Sequence, residues 1–508
     1  MKKKKQMIIV SALFTDGAVL CREKEIRVFG RAEAGAEVTV TLLDAGKRTL
    51  ATGHAREKDG RFLALLPPQK AQNGCSLTFE CGEEQYTSEG IAIGDVYLAG
   101  GQSNMEWPLE GAEEGREVIA AHEDADLRFF NIPRMAYVCP QQREAADTAR
   151  WEAIQPGKGG GNSAVASFFG ACLRKAHPEV PVGIIDCYWG GTSVSCWMPE
   201  EALRESTEGI RYLDEYAQRA KGITMKAYQA AERKFQKAFG EWNEETIRYR
   251  EAHPEAKWPE IEAACGKSPW NPPAGPGSPY RPTGLFESML MEAVPVTLTG
   301  VLYYQGEEDT YRTEHYDILM TQLIRSWRRL FRDPELPFLF VQLPMWTEDG
   351  AEDQCQWARL RLAQAAARDT VRNSGMICLL DEGEYGNLHP TRKRVVGERL
   401  AELAKKIVYG EDGETSPRAV GKSVSGNVVT VRLNAEVTTE DGKAPGMMEI
   451  AGEDGVFHPA YAVPSGCELR VWNKEVSWPE HVRYGWCDYS DEVKLRGKNG
   501  LPAEPFWL

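Results

Sequence analysis

Ser103, His389, Gln305 and the pair Gly190-Gly191 supply, by residue type, the parts that acyl transfer requires: a hydroxyl nucleophile, a general base, and carboxamide or main-chain donors for an oxyanion. All of them stand beyond the ends of apolar runs. Gly94–Ala99 leads into Gly100-Gly101-Gln102-Ser103-Asn104-Met105, and Val182–Cys187 into Tyr188-Trp189-Gly190-Gly191-Thr192. Gly300–Tyr304 is followed by Gln305-Gly306-Glu307, Pro337–Leu343 by Pro344-Met345-Trp346, and Met376–Leu380 by Leu388-His389-Pro390. Taken singly, Ser103 reads as a helix N-cap, the glycines as a tight turn, Gln305 as a partner for nearby backbone and His389 as a loop histidine. Their placement after successive strands is what gathers them: an open parallel sheet binds its ligands beyond the carboxyl ends of its strands.

The elements that must position them are legible as a pattern. The five apolar runs alternate with the helical segments 163–176, 315–331, 356–369 and 391–407, and near-continuous apolar strands between amphipathic helices imply a parallel sheet of about five strands covered on both faces. Residues 7–92 alternate with period two and are broken by Gly, Asp and Lys, which predicts an N-terminal β-sandwich module over 1–92. The α/β region is assigned to 93–417, with a charged, mostly helical insertion over 200–280 that ends in a Pro- and Gly-rich loop. Residues 418–508 return to β alternation, as a second β module.

Composition narrows the partners. The 508 residues hold 75 acidic and 60 basic side chains, a formal charge of −15, with no basic cluster beyond Lys2–Lys5, which reads as a solvated terminus. That balance argues against nucleic acid, whose binding rests on Lys and Arg at phosphates. No apolar run approaches the roughly 18 residues that span a bilayer. The opening MKKKKQMIIVSALF imitates an export signal, yet Met7–Phe14 is short and lacks a small-x-small cleavage site, so it is read as a first β-strand and a cytoplasmic location is expected. The twelve cysteines form no CxxC pair and no zinc spacing, and reduced thiols are expected, with Cys75–Cys81 the one conceivable disulfide in an exported protein. Neither a metal nor a cofactor is implied.

The segments GQSNMEWPL, SAVASFFG, PVGIIDCYWGGTSVSCWMP, GVLYYQGEEDT and NLHPTRKRVVGERLA resemble the blocks of SGNH-superfamily (GDSL-like) carbohydrate esterases, and most nearly those of the sialate O-acetylesterase family. The resemblance extends to ALFTDGAVLCRE at the start and to MEIAGEDGVFHPAYA, VRYGWCDY and GKNGLPAEPF at the end. It implies a flavodoxin-like sheet and hydrolysis of acetyl esters on sugars through an acetyl-serine intermediate. Ser103 would be the nucleophile and His389 the general base. The oxyanion donors would be the N–H of Ser103, that of Gly190 or Gly191, and the Gln305 amide. Acetylated xylan or another plant glycan is the alternative substrate, and a catalytically lapsed sugar-binding protein the alternative class.

One position departs from the pattern. Many SGNH enzymes carry an Asp two or three residues before the His, where this chain has Asn387 and Gly386. Asn387 could orient the imidazole through its amide oxygen, and Asp381, Glu384 and Glu307 are the carboxylates that could complete a triad, unless they are ordinary loop or strand-end acids. Trp107, Trp189, Trp197 and Trp346 sit near strand ends, where rings stack on sugar or pack in a core. Trp357, Arg361 and Gln364 form one helical stripe, which by its mixed character reads as a solvated face; the resemblance includes this WxxxR pattern, so Arg361 would instead touch substrate or brace the site from below. Arg483 would anchor the last β module to the catalytic domain.

Overall fold

The computed structural model describes residues 7–508 apart from 254, 255, 257, 349, 440, 441 and 443; the Lys2–Lys5 run lies outside the described residues. The chain is a mixed α/β protein whose central sheet joins β structure at the amino end and is followed by further β structure at the carboxyl end.

All five expected strands lie in that sheet, but the sheet is larger and mixed. Across its α/β part the order is Trp151–Ile154, Asp124–Asn131, Val182–Tyr188, Glu84–Gly101, Gly300–Tyr304, Phe338–Val341, Ser374–Ile377. Neighbours pair in parallel except Trp151–Ile154, which closes the edge antiparallel. Asp124–Asn131 escaped the sequence reading for a physical reason. It lies next to the edge and alternates buried with partly exposed residues, so it lacks the continuous apolar run of a strand covered on both faces.

The first central strand runs unbroken from Glu84 to Gly101. Its early residues pair antiparallel with Gln72–Cys81, and its later ones pair in parallel with Val182–Tyr188 and Gly300–Tyr304. One strand therefore carries the amino-terminal β region into the α/β sheet across residue 92, and one buried apolar core spans both. The chain next adds strands on one side of this strand (124–131, 182–188) and then on the other (300–304 onward), so its carboxyl end is the topological switch point.

The helices cover the sheet much as the periodicity predicts: Ala164–Ala176, Tyr316–Leu330, Gln356–Thr370 and Lys393–Ala404. The 200–280 segment holds Glu200–Leu203, Thr207–Arg219, Met225–Ala252 and Trp258–Cys265. Its Pro- and Gly-rich loop is pinned back by Tyr216, whose hydroxyl donates to the Gly275 carbonyl at 2.9 Å. At the carboxyl end, small antiparallel sheets enclose a second core that takes in Met345, Cys378 and Leu380 from the α/β region. All twelve cysteines are free, Cys75 and Cys81 included.

Arg361 and Arg483 correct the expectations placed on them. Arg361 is fully buried, and its guanidinium donates to the carbonyls of Pro344, Gly485 and Cys487. It cannot reach a substrate; it ties the strand end at 344 to the carboxyl-terminal β structure. Asp488 adds to that join by accepting the Trp357 N–H at 2.7 Å, capping the helix Gln356–Thr370. Arg483 stays inside the last β structure, paired with Glu449 at 2.7 Å and lying 3.7 Å over the Phe457 ring.

Candidate active site

Gly101 ends the first central strand at φ +132°, and a Cβ there would lie 2.1 Å from the Tyr304 carbonyl oxygen, so only glycine lets the two strand ends approach. Gln102 then turns the chain into the short helix Ser103–Glu106. Its side-chain oxygen accepts the N–H groups of Gly306 and Glu308, each at 3.3 Å, which locks this turn to the end of the neighbouring strand. Ser103 is thereby presented at the switch point. Being the first helical residue, its N–H has no intrahelical acceptor.

The Ser103 Oγ lies 2.8 Å from His389 Nε2. Trp107, one turn beyond Ser103, stacks on the imidazole with ring centres 5.4 Å apart and planes 21° from parallel. Burial, with a smaller push from the Lys393 ammonium, lowers the His389 pKa to about 4, so the ring is neutral at ordinary pH and able to accept a proton.

None of the four candidate orienting groups bonds the imidazole among the described residues. Asn387 accepts the His389 main-chain N–H at 3.1 Å and donates to Glu384 at 2.7 Å, so it holds the loop rather than the ring. Asp381 is committed to Arg399 and Arg496. Glu307 accepts from the Asn104 amide at 2.6 Å. That same amide donates to the Leu388 carbonyl at 3.1 Å, and the Lys393 ammonium donates to the Asn104 oxygen. Asn104, Glu307 and Lys393 thus form a buried network beneath the Ser–His pair. Burial raises the Glu307 carboxyl and brings Lys393 down to about 7 against the pull of Glu307 and Glu384.

The Gly190–Gly191 turn stands beside the serine: a Cβ on Gly190 would lie 3.2 Å from Ser103 Cβ. Its two N–H groups differ. That of Gly190 donates to Glu106 Oε2 at 2.5 Å, and Glu106 is paired in turn with Arg134. That of Gly191 has no acceptor among the described residues. Thr192 and Trp197 brace the turn from below, the indole N–H of Trp197 donating to Thr192 Oγ1 at 3.0 Å. Trp197 is wholly buried, so the packing reading holds for it.

Gln305 does not face this space. It is buried, with its amide nitrogen within hydrogen-bond range of Gln102 Oε1 at 3.1 Å, the Thr192 carbonyl at 3.2 Å and Asp309 Oδ2 at 2.5 Å. Its oxygen accepts the Tyr316 hydroxyl at 2.8 Å. A carboxamide so committed is a strut between strand ends, not a free donor for an oxyanion. Trp189 is half-buried under the Arg134 guanidinium at 4.2 Å, while Trp346 packs against Trp357 with centres 5.1 Å apart. Sequence reasoning missed Asn104, Glu106, Arg134 and Lys393. Three of them lie within quoted motifs, in GQSNMEW and HPTRK, and His389 and Lys393 are four residues apart at the entry to one helix.

Comparison with known proteins agrees with this chemistry. Residues 267–406 match the family model described as carbohydrate esterase, sialic acid-specific acetylesterase. The sialate O-acetylesterases of Rattus norvegicus and Mus musculus are 23% and 24% identical to this chain, each alignment covering 94% of it and 90% of the relative. A carbohydrate acetylesterase from Xanthomonas citri, known from its crystal structure, superposes with a TM-score of 0.77 at 27% identity, over 99% of both chains. Over nearly its whole length the chain is similar to sialate O-acetylesterases and to this carbohydrate acetylesterase.

Proposed function

We propose that this protein is a serine carboxylic-ester hydrolase that removes acetyl groups from sugars, built on an SGNH-type sheet, with Ser103 and His389 as its catalytic pair. The observation that carries the reading is the 2.8 Å contact between Ser103 Oγ and a neutral, half-buried His389 at the switch point of the sheet. We keep 93–417 as the catalytic unit and the β regions before and after it as its flanks.

In the first half-reaction His389 Nε2 takes the Ser103 proton as Oγ attacks the acetyl carbonyl carbon. The carbonyl π electrons move to oxygen, and the resulting oxyanion is held by the N–H groups of Ser103 and Gly191, the latter a turn donor with no acceptor among the described residues. Collapse breaks the bond to the sugar oxygen, which leaves with the proton from His389, and acetyl-Ser103 remains. Water then attacks the acyl carbon while His389 takes its proton; collapse of the second intermediate returns that proton to Ser103 and frees acetate. With no carboxylate on its other nitrogen among the described residues, the transient imidazolium is stabilised by the Trp107 face, which attracts a cation through its quadrupole.

Acetate release from O-acetylated sialic acid, measured for the wild type and for Ser103→Ala, tests the assignment. Turnover that depends on Ser103 supports it; a wild type with no esterase activity, or a Ser103→Ala variant that keeps it, overturns it.

A further inference from the structure

The helical insertion is the part of the chain for which the motifs give no task, yet its loop reaches the catalytic turn. A Cβ built on Gly190 would meet Ser103 Cβ at 3.2 Å, and one built on the next residue, Gly191, would lie 2.5 Å from Cζ2 of Trp270. With consecutive Cα atoms about 3.8 Å apart and the intervening single bonds added, the Trp270 indole edge is therefore within about 14 Å of the nucleophile. A pyranose whose acetyl group sits at Ser103 fits within that span.

Trp270 is 39% exposed. It is nonetheless held firmly: Phe239 lies 5.3 Å and Phe235 6.1 Å from it between ring centres, and Tyr280 meets it edge-on at 5.6 Å. A large aromatic left partly in water while three rings fix its orientation is a preformed surface, not a loose side chain. Trp189 leads into the same turn and Arg134, from the segment after Asp124–Asn131, lies 4.2 Å over its ring, so apolar faces and a polar rim converge beside the acetyl position. Sugars fit such a surface because a pyranose presents a face of C–H bonds to an aromatic ring and hydroxyls to its rim.

We propose that Trp270 is a stacking platform for the pyranose ring of the leaving sugar, so that the insertion supplies the binding energy that selects carbohydrate esters over simple acetates. The proposal rests on the esterase reading above, because it uses Ser103 to define where the acetyl group lies. It explains why Gly191 must be glycine in a way that the oxyanion role alone does not: any side chain there would displace the indole edge.

Binding separates this inference from the reading beneath it. In the full-length Ser103→Ala protein, the affinity for an O-acetylated sialic acid and for an acetylated xylooligosaccharide is measured by calorimetry, alone and with Trp270→Ala or Trp270→Phe. Loss of the stacking ring should weaken binding of at least one sugar by about tenfold, with phenylalanine restoring part of it. Trp478→Ala, which removes an exposed tryptophan in the carboxyl-terminal β region, should leave the affinity unchanged. Equal affinity with and without Trp270, an equal loss with Trp478→Ala, or no binding of either sugar by the Ser103→Ala parent overturns the proposal. If Trp270-dependent binding is seen but the wild type releases no acetate from the bound sugar, the platform stands and the esterase reading falls.

Discussion

Replacing Lys393 with methionine should raise the pH at which activity is lost on the acid side by about one unit. In the proposed mechanism His389 must be neutral to take the Ser103 proton, so activity should fall as pH drops through its pKa. Burial and the Lys393 charge together hold that pKa at about 4. Lys393 Nζ is 5.9 Å from the centre of a Trp107 ring, and the Trp107 and His389 centres are 5.4 Å apart, so the ammonium lies within about 11 Å of the imidazole. Two like charges at that separation, in an effective dielectric of about 20, repel by about 1.5 kcal/mol. One pKa unit corresponds to about 1.4 kcal/mol. Lys393, itself lowered to about 7, is fully charged where His389 titrates, so the whole repulsion acts there. Methionine keeps the apolar stem and removes the charge; the contribution of burial stays. The acid limb should therefore move from about pH 4 to about pH 5. The profile of kcat/KM for p-nitrophenyl acetate reads this directly, since it reports groups of the free enzyme. Lys393→Arg, which keeps the charge, should leave the limb near its original position. An acid limb that stays put in Lys393→Met, or moves to lower pH, would refute the electrostatic argument. A uniform loss of rate without a shift would assign Lys393 a purely structural role through Asn104.

Other consequences follow from single contacts. Ser103→Ala should lower kcat by about 10⁵-fold or more in acetate-release assays while the protein keeps its fold by circular dichroism. Asn104→Ala frees both Glu307 and the Leu388 carbonyl next to His389, and a small displacement of the base should cost about 10- to 100-fold in kcat with little change in KM. Asn387→Asp should fail to raise kcat, because residue 387 bonds the main-chain N–H of His389 and would set a second carboxylate against Glu384; an increase in kcat would show that this position can reach the imidazole. Arg361→Met leaves buried carbonyls of Pro344, Gly485 and Cys487 without their donor, and denaturant unfolding should show a loss of about 3 kcal/mol; a loss under about 1 kcal/mol would contradict the bracing role.

The parts that sequence made legible share one physical character. Strands covered on both faces announce themselves as apolar runs, and an open sheet collects function at their carboxyl ends, so Ser103, the Gly190–Gly191 turn and His389 could be placed near one another before any coordinates. Asp124–Asn131 stayed hidden because a half-exposed strand near an edge has no such run. Gln305 was misassigned because residue type cannot say which way a carboxamide points once Gln102, Thr192, Asp309 and Tyr316 compete for it. The buried network of Asn104, Glu307 and Lys393 joins three segments far apart in the chain, a contact set that only folding creates. Trp270 lies in a Pro- and Gly-rich loop that reads as a mere connection until its packing on Gly191 is seen.

The central claim is that Ser103 carries the acetyl group between the two half-reactions. Rapid acid quenching during turnover of p-nitrophenyl acetate, followed by peptide mass spectrometry, tests it most directly. One added acetyl group is expected on the peptide containing Ser103, mapped to that serine and absent from Ser103→Ala. Steady hydrolysis with no acetylated peptide, or an acetyl group on a different side chain that turns over at the catalytic rate, would contradict it.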